Sequence, residues 1–103
     1  MASREENLVK SCYIGDQVLL KLLISEGADL SRADKDGVTP LHIAAGQVHL
    51  ECVKLLVQHG APLNSPDRLG RTPLHFAVRS GSLEVIQHLL KSGADARVRF
   101  HPM

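Results

Sequence analysis

The dipeptide Gly-Ala recurs at Gly27-Ala28, Gly60-Ala61 and Gly93-Ala94, 33 residues apart each time. Thr-Pro-Leu-His recurs at Thr39-Pro40-Leu41-His42 and Thr72-Pro73-Leu74-His75 with the same separation. A fixed period of this length through a chain of 103 residues points to stacked supersecondary units rather than one globular core. Each unit is too short to bury its own apolar face, so neighbours must share a core. Stacks of this kind bind along an extended surface.

The unit from Asp34 to Ser65 reads as a turn, a helix, a short turn and a second helix. Asp34-Lys35-Asp36-Gly37 is turn chemistry. Thr39 has the side chain of an N-cap, and Pro40 sits where a missing N–H costs nothing. Leu41, Ala44 and Ala45 form an apolar stripe at helical spacing. A second helix is predicted from about Leu50 to His59, with Leu50, Val53, Leu56 and Val57 on one face. Gly60 ends it as a left-handed cap and Pro62 prevents its continuation. Residues 67–96 repeat this grammar: Asp67 to Gly70 is the turn, Thr72 and Pro73 start a helix, Gly81 ends it, and Gly93 stops the next. In the first unit Glu6-Asn7-Leu8-Val9 replaces Thr-Pro-Leu-His, although the helix before Gly27 is clear. The composition is 44% apolar but only 3% aromatic. A Leu, Val, Ile and Ala core suits thin, closely packed helices.

These residues resemble ankyrin repeats, whose pattern is Asp-x-x-Gly-x-Thr-Pro-Leu-His followed by a second helix ending in Gly-Ala. Residues 34–64 and 67–96 match almost throughout; residues 7–30 match in the second helix and Gly-Ala only. The resemblance implies an all-α solenoid of helix-turn-helix units with β-turn or hairpin fingers. The expected division is an N-terminal capping repeat over 1–33, repeats over 34–66 and 67–99, and a tail over 100–103. There are departures. Val48 stands where the family has Gly, and Gly46 comes two places early, so that turn is expected to avoid positive φ. After Asp95 the pattern lapses. Leu83, Ile86 and Leu90 are then expected to leave an apolar end that a longer chain or another molecule covers.

Net charge is +1, which gives no global attraction to nucleic acid or membrane. The distribution is uneven: residues 1–36 hold seven acids against five bases, and residues 67–103 hold three acids against six bases. Cys12 and Cys52 do not make a disulfide scaffold and fit free buried thiols in a reducing compartment. Lys21 breaks the apolar run from Val18 to Ile24, and no signal peptide or membrane span is expected. The expected location is cytoplasmic or nuclear. No nucleophile with a neighbouring base, phosphate loop or metal-ligand spacing is recognisable. The reading is therefore no enzyme, no cofactor and no metal.

The resemblance also assigns roles. His42 and His75 bond Thr39 and Thr72 and reach the neighbouring loop, while Gly27, Gly60 and Gly93 close the second helices. The concave face would be built from finger tips and first-helix positions: Tyr13, Ile14, Ala33, Lys35, Asp36, Val38, Gly46, Gln47, Pro66, Arg68, Leu69, Arg71, Arg79, Ser80 and Arg99. Tyr13, Ile14 and Leu69 are candidate apolar anchors. Arg68, Arg71, Arg79 and Arg99 favour an acidic or phosphorylated protein segment. The expectation is a monomeric, non-catalytic scaffold or adaptor for a protein partner. Alternatives are a targeting domain of a larger protein, or weak nucleic-acid or phosphate binding through the arginines. Asn64 is a candidate for β-hydroxylation and Ser65-Pro66 for phosphorylation, each weighed against a plain turn role.

Overall fold

The structure, a computed structural model, describes residues 3–97. Among these are six helices: α1 (Arg4–Ile14), α2 (Gln17–Ser25), α3 (Pro40–Gly46), α4 (Leu50–Gln58), α5 (Pro73–Ser80) and α6 (Leu83–Lys91). There is no strand among the described residues.

Local chemistry explains most helix ends. Thr39 and Thr72 cap α3 and α5, with Pro40 and Pro73 just inside the first turn. Asp16 and Ser82 cap α2 and α6 by accepting the N–H groups of Leu19 and Val85 at 3.0 and 3.3 Å. α1 departs from the repeat register. It starts early, on Ser3, whose hydroxyl accepts the Glu6 N–H at 3.1 Å. Glu5 and Glu6 then lie in its first turn, where negative charge suits the helix dipole.

α1, α3 and α5 form an inner row, and α2, α4 and α6 an outer row. Neighbours in the inner row pack more closely than those in the outer row, so the stack bends toward its inner helices. The core runs the length of the stack, and Leu20, Leu41, Val53, Leu56, Val85 and Leu89 are fully buried within it. Each such side chain contributes about 1.5–3 kcal/mol through burial. Cys12 and Cys52 are buried free thiols, and burial pushes the Cys12 thiol up to about 12. Val78, Leu83 and Leu90 are exposed at the α5–α6 end, while Ile86 is partly covered against the core.

The turn between α3 and α4 corrects the expectation at Val48. Val48 sits at φ 61, inside the left-handed region. Its N–H donates to the Ala45 carbonyl at 3.3 Å, and the His49 N–H donates to the Ala44 carbonyl at 3.0 Å. These two bonds close the helix in the Schellman manner, and the packed neighbours hold the reversal in place. Val48 bears the resulting strain where Gly15 and Gly81, at φ 80 and 79, do not. Gly46 has a different use. A Cβ there would lie 3.2 Å from the Phe76 ring, so its lack of a side chain seats α5 against α3.

Candidate functional site

Two fingers project from the inner row. In the first, Asp34 Oδ1 accepts the N–H groups of Asp36 and Val38 at 2.8 and 2.9 Å. In the second, Asp67 Oδ1 accepts those of Leu69 and Arg71 at 3.0 and 2.8 Å. In each, the Asp N–H also donates to the carbonyl four residues on. One aspartate therefore fixes each tip. The fingers are joined by the Arg68 N–H, which donates to the Asp36 carbonyl at 2.9 Å. Gly37, at φ 78, lies so close that a Cβ would stand 2.9 Å from the Asp67 Cα.

A histidine anchors the second finger to the middle unit. His42 Nδ1 accepts the Thr39 N–H at 3.0 Å, and its Nε2 lies 2.8 Å from the Arg71 carbonyl. That pair of bonds assigns the neutral tautomer with the proton on Nε2. The Phe76 ring meets the His42 ring edge-on at 4.9 Å, and the Arg71 guanidinium lies 5.4 Å above Phe76. Arg71 Nε also donates to Asp67 Oδ2 at 2.9 Å. Burial raises the Asp67 pKa, but the bonds from Arg71 and Leu69 outweigh it and hold the carboxyl below the usual range. His75 repeats the arrangement: its Nδ1 accepts the Thr72 N–H at 3.0 Å.

Burial holds the His42 pKa below its ordinary value of 6.5, and the Arg71 carbonyl and Asp67 charge offset this only in part. The unfolded chain thus takes up the proton more readily than the folded one. His42 contributes its full stabilisation above the unfolded pKa and loses it as pH falls from there to the folded pKa. Melting temperature is expected to fall as pH drops below about 6.5, with a flatter slope in His42→Gln. Parallel wild-type and variant curves would contradict this.

The sequence-predicted residues lie at several places. Ala33, Lys35, Asp36, Pro66, Arg68 and Leu69 are exposed in the fingers; Val38 is half-buried. Tyr13 and Ile14 are exposed at the end of α1, where the Tyr13 carbonyl lies 2.9 Å from His49 Nε2. Gln47 caps α3, and Arg79 lies in the last turn of α5. Ser80 Oγ donates to the Ala77 carbonyl at 2.8 Å. Arg99 lies outside the described residues. Arg68 Nη1 is 3.4 Å from Asp36 Oδ1, an exposed and weak pair. Gly27, Gly60 and Gly93 all take positive φ after the outer helices.

Two features went unread in the sequence: the groove, and a bridging role for Asn64, which was read there only as a hydroxylation candidate or turn residue. Asn64 Oδ1 accepts the Asp95 N–H at 2.7 Å, bridging the second and third units. A groove of about 340 Å³ lies between α1, the 32–38 segment and α3. Leu8, Val9, Ala33, Val38, Pro40 and Ile43 give its apolar surface, and Glu5, Glu6, Arg32 and Asp34 its charges. The adjacent apolar pair Leu8-Val9 is a sequence signal for it, since neighbours on a helix cannot both face one core; Leu8 is buried and Val9 is exposed. Among the described residues, no group of three or more His, Cys, Asp or Glu side chains is placed to hold a metal ion. No helix there is long and apolar enough to cross a membrane.

Residues 8–99 match the family model described as ankyrin repeats, in three copies. The chain is similar to a potassium channel, KOR2, of Oryza sativa subsp. japonica, with 51% identity over 49 residues, which is 44% of this chain and 7% of the channel. It is also similar to the ADP-ribosylation factor GTPase-activating protein AGD4 of Arabidopsis thaliana, with 59% identity over 32 residues, 31% of this chain and 4% of that protein. The chain thus spans less than a tenth of the length of either relative. With three matched copies over helix pairs stacked in register, the chain belongs to the ankyrin-repeat family, whose repeats serve generally as protein–protein interaction modules.

Proposed function

We propose that the chain is a non-catalytic binding module that grips a protein segment along its inner helices and finger tips. The acidic or phosphorylated class of segment fits the second finger and α5 best. The observation that carries this is the second finger: Arg68 and Leu69 stand exposed on a tip whose backbone Asp67 and His42 hold fixed. A pre-organised tip loses little entropy on binding. A guanidinium suits carboxylate or phosphate, and an exposed Leu beside it supplies apolar contact. The two relatives are named for unrelated activities, a channel and a GTPase-activating protein. What they share with this chain is a repeat segment, which supports the role of a module within scaffold, adaptor or targeting proteins. The repeat limits 1–33, 34–66 and 67–99 are proposed as the working units, and cytoplasm or nucleus as the location.

Arg71 is a poor probe of this reading because it also ties Asp67, Phe76 and His42 together. Arg68→Glu and Leu69→Ser are the informative substitutions. Both are expected to keep stability within about 0.5 kcal/mol, as surface changes do. A fluorescent phosphopeptide flanked by Glu should bind wild type, weaken with salt, and lose about tenfold in affinity to Arg68→Glu. Equal binding by wild type and both variants would refute the assignment of this tip.

A further inference from the structure

We propose that the groove between α1, the 32–38 segment and α3 takes an aliphatic side chain of a partner segment whose adjoining residue is Lys or Arg. The inference rests on the binding face proposed above and adds a second recognition element of opposite charge. At about 340 Å³ the groove is at the small end for a ligand site, with room for one or two side chains. Leu8, Val9, Val38, Pro40 and Ile43 make its walls aliphatic, so an unbranched or branched aliphatic group fits their chemistry.

Charge selects the neighbour. Glu5, Glu6 and Asp34 line the groove against one cation, Arg32. Arg32 lies 3.7 Å from Glu5, an exposed and weak pair that offsets one of the three acids and leaves two. Asp34 uses only Oδ1 on the finger amides. Glu6 makes no ion pair among the described residues. The groove therefore carries an unbalanced negative rim around an apolar floor. A Lys or Arg beside the anchor meets that rim favourably, and an acidic neighbour is repelled. The second finger, with Arg68 exposed at its tip, has the opposite preference. A segment with a basic-aliphatic element at one end and acids at the other would bind in one direction only.

The test is titration of the ¹⁵N-labelled chain with two capped peptides, Gly-Lys-Leu-Arg-Gly and Gly-Glu-Leu-Glu-Gly. The first is expected to shift the amides of Val9, Val38 and Ile43, and the second to leave them in place. Glu6→Arg should weaken the first peptide about five- to tenfold, the size of a reversed surface charge. Ala33→Trp, at an exposed position on the groove wall, should abolish the shifts while the remaining spectrum stays dispersed. The inference is overturned if neither peptide moves these amides at several millimolar, if both move them equally, or if Ala33→Trp changes nothing. The acidic peptide's effect on amides 66–71 in the same titration reads the finger assignment separately. Shifts there without shifts at Val9 and Ile43 would leave the binding face standing and remove the groove.

Discussion

Leu56→Ala is expected to destabilise the chain by about 2–5 kcal/mol, because it removes a fully buried side chain and leaves a cavity. A domain of this size has a total stability of roughly 5–10 kcal/mol, so the loss takes about a fifth of it or more. Position matters as well as burial. Leu56 lies in α4, which packs against α3 within its unit and against α2 and α6 on either side. A cavity there weakens every interface that holds the outer row together. Leu90→Ala is the control: Leu90 is 40% exposed at the end of the stack, and its loss should cost about 1 kcal/mol or less. Urea unfolding of the two variants decides the matter. Midpoints that move by equal amounts would show that the buried row is not the source of stability.

Gly37→Ala has the next largest expected effect, and Gly70→Ala separates its causes. Both glycines sit at φ 78 at equivalent places in successive fingers. At Gly70 an added Cβ would meet nothing within 4 Å, so only the left-handed backbone is penalised, at about 1–2 kcal/mol. At Gly37 it would also stand 2.9 Å from the Asp67 Cα and 3.1 Å from the Arg68 nitrogen. Backbone atoms cannot rotate away. The fingers must separate, and the Arg68-to-Asp36 hydrogen bond goes with them. The total is about 2–4 kcal/mol, adding an overpacking term to the backbone term. Amide exchange at Arg68 should accelerate in Gly37→Ala and stay near wild type in Gly70→Ala. The same exchange in both would mean that the fingers do not lean on one another.

The helices were legible because their ends are written locally. Thr39-Pro40 and Thr72-Pro73 each place a cap and a compatible first residue side by side, and the outer helices stop at Gly60 and Gly93 by one-residue chemistry. The strained turn was not legible. Reading Val48 in isolation favours another geometry, whereas the reversal between α3 and α4 is imposed by units packed on both sides. Arg71 shows a similar limit. Its charge suggested a free contact residue, but its carbonyl, guanidinium and position over Phe76 commit it to holding the second finger. The groove escaped notice because its walls come from α1, a finger and α3, with no motif linking them. Gly46 was noted as misplaced in the repeat, and its reason, the Phe76 ring, lies 30 residues on.

The inner row is spaced by its smallest members. Ala44, Ala45 and Ala77 have no exposed surface, and Gly46 admits the Phe76 ring. Side-chain size at these places sets how tightly the arc is drawn, and with it the gap between successive tips. A methyl group gained there would flatten the arc and respace the tips without altering a single loop residue. The spacing of the tips is therefore held partly by atoms that no bound molecule could reach.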